Sequence, residues 1–224
     1  MCNTRCVIFG CVNIKQTDVE GKSVIEIGSF DVNGSLRPLI ESYKPREYIG
    51  VDIEEGPGVD KICSVEDLSK EMSGNRFDLV IATELLEHVK DWRKAVRNIK
   101  DICKEGGLIL ITTRSIGVPF HPHPYDFWRF EVEDMRNIFS DCEILVLEKD
   151  PSEPGVFLKA RKPVNFHAKP LEDRALYSIV LNKRVKDIEG SYSGNVNFKR
   201  IGFNIRHGIK NFLMSAGRYI IGKL

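Results

Sequence analysis

The strongest constraint on the fold of this chain is a series of short, continuous apolar runs. They are SVIEI (23–27), YIGVD (48–52), DLVIA (78–82) and LILITT (108–113). Their apolar residues do not alternate with polar ones, which is typical of parallel strands that are buried on both faces. Segments of helical period separate the runs, so the pattern favours an α/β protein with helices on both faces of the sheet. The same pattern disfavours a β-sandwich.

The segment between the third and fourth runs is predicted to be a crossover helix. Apolar residues recur at intervals of three and four across 92–103, and Asp91 is placed to cap the first turn. Farther along, the runs CEILVL (142–147) and GVFLKA (155–160) can pair as a hairpin that closes the sheet.

The composition excludes several classes of protein. A chain of 224 residues can bury one full core with an appended segment, and a net charge of +1 gives no reason to expect a nucleic-acid partner. Six scattered cysteines favour reduced thiols and a cytoplasmic location over a disulfide scaffold. The start of the sequence does not resemble a secretory leader, and no apolar run approaches the roughly 18 residues that span a bilayer.

The segment SVIEIGSFDVNGS (23–35) has the order of a nucleotide-type site: a buried strand, a glycine turn and the start of a helix. Gly28 would let the backbone approach a ligand closely, and the N–H groups near Ser35 would attract a carboxylate. Glu26 disfavours a pyrophosphate and favours a ligand with a cationic group, such as the amino group of an amino acid. An ordinary strand-to-helix turn is the alternative interpretation.

A second acidic residue, Asp52, ends the next apolar run, 24 residues after Gly28. An acid at this position typically accepts hydrogen bonds from ribose hydroxyls, although it can also cap a local turn. The spacing indicates adenosine and leaves an NAD-type oxidoreductase open as an alternative, which the lack of G-x-G-x-x-G and the presence of Glu26 disfavour.

Four ordered blocks carry a family resemblance: EIGSFDVNGS, YIGVDIEEGPGVD, FDLVIATELLEHV and KEGGLILITTR. With them the chain resembles class I S-adenosylmethionine-dependent methyltransferases, in particular the type 11 group, over about residues 20–162. The resemblance implies a Rossmann-like, doubly wound seven-stranded sheet that is mostly parallel and has an antiparallel last strand. It also implies a methyltransferase domain over 1–162 and S-adenosylmethionine as the cofactor, lying across the carboxyl ends of the first two strands.

The same resemblance implies where the cofactor lies against the chain. The residues are Glu26 and Gly28 for the methionine part, Asp52 for the ribose, Ser64 and Val65 for the adenine, and Thr83, Glu84 and Leu85 beside the methyl donor. The commonest first motif of the family is E-x-G-x-G-x-G, whereas Phe30 and Val32 occupy the later glycine positions here. We therefore expect a wider or differently folded turn at the remaining predicted cofactor ligands, Ser29, Asp31 and Asn33.

The loop FHPHPYDFWRF (120–130) follows the fifth strand and should lie over the mouth of the cofactor site. Its His121, His123 and Tyr125 are candidates to orient an acceptor and accept a proton near neutral pH. Covering of the core by the aromatic residues is the alternative. Two close histidines without a further ligand cluster do not predict a metal site. The resemblance gives His88 a framework or cofactor-side role.

The region 163–224 is predicted to be a basic, helical C-terminal extension, with 11 Lys or Arg against 4 Asp or Glu. Residues 200–224 fit a basic amphipathic helix that could contact an anionic membrane surface, a protein partner or the domain itself. The leading hypothesis is methyl transfer to an unidentified small molecule, lipid or glycan intermediate. A non-catalytic adenosyl-binding protein, delivered to membranes by this extension, is a further alternative.

Overall fold

The computed structural model describes residues 3–72, 76–122 and 124–190, which contain ten strands and five α-helices. The strands are β1 (Ser23–Ile27), β2 (Glu47–Asp52), β3 (Lys61–Ile62), β4 (Phe77–Thr83), β5 (Cys103–Arg114), β6 (Trp128–Arg129), β7 (Glu143–Lys149), β8 (Gly155–Arg161), β9 (Leu176–Ser178) and β10 (Lys183–Val185). The helices are α1 (Thr4–Asn13), α2 (Arg37–Ser42), α3 (Leu68–Glu71), α4 (Trp92–Ile102) and α5 (Val132–Ile138).

Seven of these strands form the central sheet, in the order β3-β2-β1-β4-β5-β8-β7. The pairs from β3 to β5 are all parallel, and β8 is antiparallel to both β5 and β7. The predicted Rossmann-like sheet and its closing hairpin are therefore confirmed. The antiparallel strand lies inside the sheet, because β8 inserts between β5 and β7.

The sheet separates two apolar clusters, one on each face. On β1, Ile25 and Ile27 belong to the cluster that α3, α4 and α5 cover, whereas Val24 belongs to the cluster under α1 and α2. This division follows from the alternation of side chains along a strand. Both faces of β1 are buried, as its continuous apolar run predicts.

Helix α4 confirms the predicted crossover. The Asp91 carboxylate accepts a hydrogen bond of 3.0 Å from the backbone N–H of Lys94, which caps the first turn. Its apolar face, which includes Trp92 and Val96, is buried against the sheet. Between α4 and β5 the chain turns without an intervening loop, because β5 begins at Cys103.

The described part of the C-terminal region, residues 163–190, differs from the helical extension expected there. It contains β9 and β10, which join β6 in a three-stranded antiparallel sheet, and none of its described residues is helical. Leu171, Leu176 and Ile188 are buried in the core cluster under α4, so burial of these side chains fixes the segment on the main body. The amphipathic helix predicted for 200–224 lies outside the described residues.

Arg93 is the main polar link between α4 and this segment. Its guanidinium donates to the carbonyls of Leu171 and Arg174 at 2.9 and 2.6 Å and pairs with Asp187 at 2.9 Å. None of the helices in the described ranges combines the length and apolar character that crossing a membrane requires.

We expect Arg93→Ala to lower the free energy of unfolding by about 2 to 3 kcal/mol, because it removes a buried guanidinium together with its three hydrogen bonds and leaves the partly buried carbonyl of Arg174 without this donor. Urea denaturation measures this change, and limited proteolysis should show faster cleavage within 171–187. Arg97→Ala is the matched control on the same helix, since exposed Arg97 forms an ion pair with exposed Glu172 and loss of this pair should cost about 0.5 kcal/mol or less. Equal losses for both variants would contradict the assigned link.

Candidate active site

A cavity of about 290 Å³ opens at the carboxyl ends of β1, β2 and β4. Because β1 pairs with β2 on one side and β4 on the other, this is the point where the strand order reverses and where such sheets bind ligands. The lining residues are Ile27, Gly28, Phe30, Asp52, Ile53, Cys63, Ser64, Val65, Glu66, Glu84, Leu85, His88, Val89, Lys90, Pro124, Tyr125 and Phe127. Six of the predicted cofactor ligands and one predicted catalytic residue are thus brought together.

The turn after β1 requires glycine at its first position. Gly28 has φ +77°, and a Cβ atom there would lie 3.2 Å from Cδ1 of Leu85. The backbone N–H groups of Gly28 and Ser29 both donate to the carbonyl of Val51, at 2.8 and 3.1 Å. These bonds hold the turn against the end of β2 and leave the glycine backbone at the cavity wall.

Apart from Phe30, the rest of the turn folds away from the cavity, in line with the departure from the usual glycine pattern. The backbone N–H of Asp31 donates a hydrogen bond to the carbonyl of Pro57 at 2.8 Å, and the Asp31 carboxylate accepts one from the N–H of Gly34 at 3.0 Å. Ser29, Asp31 and Asn33, three of the predicted cofactor ligands, do not line the cavity. The ring of Phe30 does, at the position where the family has its second glycine.

Asp52 connects the end of β2 to that turn. Its carboxylate accepts from the backbone N–H of Phe30 at 3.1 Å and of Ile53 at 2.7 Å. These bonds fix the carboxylate at the cavity wall, where it can still accept from a ligand hydroxyl. Ser64 and Val65 line the same cavity, as placed by the family resemblance.

Glu26 lies in the sheet and does not line the cavity, in contrast to the expectation that it contacts the methionine part of the cofactor. Only 1% of its surface is exposed. Burial raises the pKa of its carboxyl to about 7, although a hydrogen bond from the hydroxyl of Tyr48 and the charge of Arg37 oppose the shift.

Because this raised pKa means that the folded state holds the Glu26 proton more tightly than the unfolded chain, the carboxyl should destabilise the fold progressively as pH rises from about 4.5 to 7. We expect Glu26→Gln to remove about 3 kcal/mol or less of this loss. The free energy of unfolding at pH 5 and pH 8 gives the measurement. Exposed Glu20→Gln should keep the wild-type difference, and a wild-type difference in Glu26→Gln would disprove the assignment.

The loop after β4 contains a buried acidic residue, Glu84, beside the cavity. Glu84 has φ +54°, is buried, and forms an ion pair with Arg114. Burial and the neighbouring charge of Glu87 raise the pKa of Glu84 well above its usual value, and Arg114 opposes this. Glu84 and Leu85 line the cavity, whereas Thr83 is buried within β4 and does not.

A short 3₁₀ turn, Leu86–His88, continues from this loop. Glu87 is fully buried, and its Oε2 accepts a hydrogen bond of 2.8 Å from the hydroxyl of Thr113. Nδ1 of His88 lies 2.5 Å from the carbonyl oxygen of Tyr125. Burial lowers the pKa of His88, so its ring favours the neutral form at the cavity wall.

The loop after β5 covers the mouth of the cavity, as predicted, with Pro124, Tyr125 and Phe127 on the wall. His121 does not line the cavity; its Nδ1 lies 3.1 Å from the carboxylate of Asp126. Burial lowers the pKa of His121, but its hydrogen bond and charge interaction with Asp126 outweigh this and raise it. His123 lies outside the described residues.

Asp126 and Arg129 anchor this loop through a fully buried ion pair of 2.5 Å. Arg129 also donates to the carbonyls of Val118 and Pro119, which fixes the loop on both sides of His121. Sequence reasoning placed both residues in the acceptor loop without this structural role. It also missed Phe30, Ile53, Cys63 and Phe127, whose only signal was their position beside the predicted motifs.

Comparison with known proteins identifies a family for this architecture. A family model described as a methyltransferase domain matches residues 13–144. No curated protein matches the chain significantly.

Three solved structures illustrate the likeness of the fold. The 1,6-didemethyltoxoflavin-N1-methyltransferase of Burkholderia thailandensis, solved with 1,6-didemethyltoxoflavin and S-adenosylhomocysteine, has a TM-score of 0.58 at 15% identity, over 72% of this chain and 80% of that one. The [4+2]-cyclase SpnF gives 0.55 at 16%, over 71% and 82%. The N-methyltransferase NodS of Bradyrhizobium japonicum gives 0.52 at 12%, over 72% and 94%. At these identities the likeness shows a shared fold.

Proposed function

This chain belongs to the family of methyltransferase domains, whose model matches more than half of it, and on that premise we propose that its cavity binds S-adenosylmethionine for methyl transfer to a small-molecule acceptor. The observation that carries the proposal is the convergence of Gly28, Asp52 and Leu85, which lie at the carboxyl ends of three different strands, on one cavity. The same fold in the B. thailandensis enzyme, solved with S-adenosylhomocysteine and a small heterocycle, supports it.

The cavity wall offers a matching group for each part of the cofactor. Ile53 and Val65 provide apolar surface for the adenine, and the Asp52 carboxylate accepts hydrogen bonds from ribose hydroxyls. Gly28 leaves room for the methionine part beside the turn. A volume of about 290 Å³ is close to the lower end of the usual range for small-molecule pockets.

The transfer itself requires alignment and exclusion of water more than a catalytic group. The bond from the methyl carbon to sulfur breaks with its electron pair moving to sulfur, while a lone pair of the acceptor forms the new bond. Tyr125 and Phe127, whose rings stack with centroids 5.6 Å apart, cover the mouth where the acceptor would enter. Their role is to hold the acceptor in line and to keep the site dry.

We expect Asp52→Ala to weaken binding of S-adenosylhomocysteine by about 10- to 100-fold, because a charge-assisted acceptor for the ribose is lost. Isothermal titration calorimetry measures the change. Asp52→Asn keeps the shape and one acceptor oxygen, so an intermediate loss separates charge from packing. Exposed Glu55→Ala, in the same loop but outside the cavity lining, should bind like the wild type.

Two outcomes would count against the proposed function. One is no binding of S-adenosylhomocysteine or S-adenosylmethionine to the folded wild type. The other is undiminished binding after both Asp52→Ala and Gly28→Arg.

The class of acceptor is tested by labelled methyl transfer into a fractionated cell extract, where we expect label among small molecules. The cytoplasmic location and the membrane or protein contact through 200–224 stay predictions, as does the catalytic role of His121, His123 and Tyr125.

A further inference from the structure

Three side chains with metal-ligating atoms meet beside the cavity. Glu87, His88 and His121 each offer one such atom, and all three atoms lie within 4.8 Å of one another. Nε2 of His88 lies 4.0 Å from Oε1 of Glu87, and the two imidazole rings are in edge contact with centroids 5.2 Å apart. Two imidazoles and one carboxylate form a common ligand set for divalent transition metals.

The carboxylate of Glu87 gives an independent reason to expect a cation. The side chain is fully buried, and its Oε1 has no hydrogen-bond partner within the described part of the chain. A buried carboxylate oxygen without a partner is costly, whereas a bound cation would compensate its charge. Oε2 is already held by the hydroxyl of Thr113, which orients Oε1 toward the histidines.

Both imidazoles are oriented by groups behind them, as metal-binding histidines usually are. Nδ1 of His88 lies 2.5 Å from the carbonyl oxygen of Tyr125, so that nitrogen carries the proton and Nε2 keeps its lone pair. Nδ1 of His121 faces the Asp126 carboxylate at 3.1 Å, and Asp126 is itself fixed by Arg129. In the neutral form of each ring, Nε2 is then the nitrogen whose lone pair can bind a metal.

We propose that Glu87, His88 and His121 bind a divalent first-row transition ion at the edge of the cavity. Bonds of about 2.0 to 2.2 Å bring ligand atoms roughly 3 to 3.5 Å apart, so the three atoms close by about 1 Å when the ion binds. A shift of the His121 ring, which is 37% exposed, would supply this movement while the Asp126–Arg129 pair keeps the loop backbone in place. The sequence analysis did not predict a metal site, because His123 was the only metal-binding partner considered for His121. The fold brings Glu87 and His88 next to His121.

The site also narrows the acceptor class, a step that rests on the proposed function. His88 lines the cavity, so an ion bound to it would lie at the cavity edge, where an acceptor could reach it. An acceptor with two neighbouring oxygen donors would complete the coordination, and the ion would lower the pKa of its hydroxyl. The hydroxyl proton passes to solvent, the oxygen bonds to the methyl carbon, and the carbon–sulfur bond breaks with its pair on sulfur.

Metal binding is tested on the full chain purified without a polyhistidine tag. Zn²⁺, Mn²⁺ and Co²⁺ are titrated by calorimetry, and bound metal is counted after dialysis by elemental analysis. We expect one ion per chain, and Glu87→Gln and His121→Ala, which alter direct ligands, should each weaken binding by at least the roughly 10- to 100-fold that loss of an outer-shell partner costs. Exposed His167→Ala should bind like the wild type. The Co²⁺ spectrum should lack thiolate charge-transfer bands, because the ligand set contains no cysteine.

The test is independent of cofactor binding. His121→Ala should retain S-adenosylhomocysteine affinity, since His121 does not line the cavity, whereas Asp52→Ala should retain the metal. Circular dichroism and thermal unfolding establish that each variant is folded. A wild type that binds none of the three ions, metal content unchanged by both Glu87→Gln and His121→Ala, or a thiolate Co²⁺ spectrum would overturn the proposal.

Discussion

The site depends on the position of β1 between β2 and β4. Both neighbours run parallel to β1. After β1 the chain continues to β2 and β3 on one side of it, and after β4 it continues to β5 on the other side. The loops after β1 and β4 therefore diverge and leave a cleft. The carbonyl of Val51, on β2, accepts hydrogen bonds from the backbone N–H groups of Gly28 and Ser29, which holds the turn after β1 against the end of β2. The cavity therefore follows from strand order, and individual side chains only determine its chemistry.

That chemistry comes from several buried charged side chains beside the cavity. Glu84 with Arg114 and Asp126 with Arg129 are buried pairs that tie the loops after β4 and β5 to strands β5 and β6. Burying ions costs several kcal/mol each, so such pairs contribute little net stability, but removal of one partner is strongly destabilising. They fix the positions of loops that would otherwise have many conformations, and these loops contribute part of the cavity wall.

Much of this architecture could be predicted from the sequence because it depends on local patterns. The continuous apolar runs predicted the strands, Asp91 predicted the start of α4, and Gly28 and Asp52 were placed on one cavity by their positions after successive strands. These predictions succeed because burial and strand direction are enough to fix them.

The parts that could not be predicted depend on contacts between distant residues. The outward direction of Asp31 is set by its bond to Pro57, and no pattern in the sequence reports that pairing. The apolar spacing near its end suggested a helical extension for 163–224, but its first part is held by burial of Leu171, Leu176 and Ile188. The approach of His121 to His88 likewise requires the Asp126–Arg129 pair, which local reasoning assigned only to an acceptor loop.

The small sheet formed by β6, β9 and β10 has a consequence for how this enzyme could diverge. The family model ends at residue 144, yet β9 pairs with β6, and the N–H of Ile179 donates to the carbonyl of Phe127 at 3.0 Å. The cavity wall at Phe127 is thus held by a segment outside the residues that the family model matches. Replacement of that segment during evolution would reshape acceptor selectivity while the nucleoside half of the cleft stayed intact.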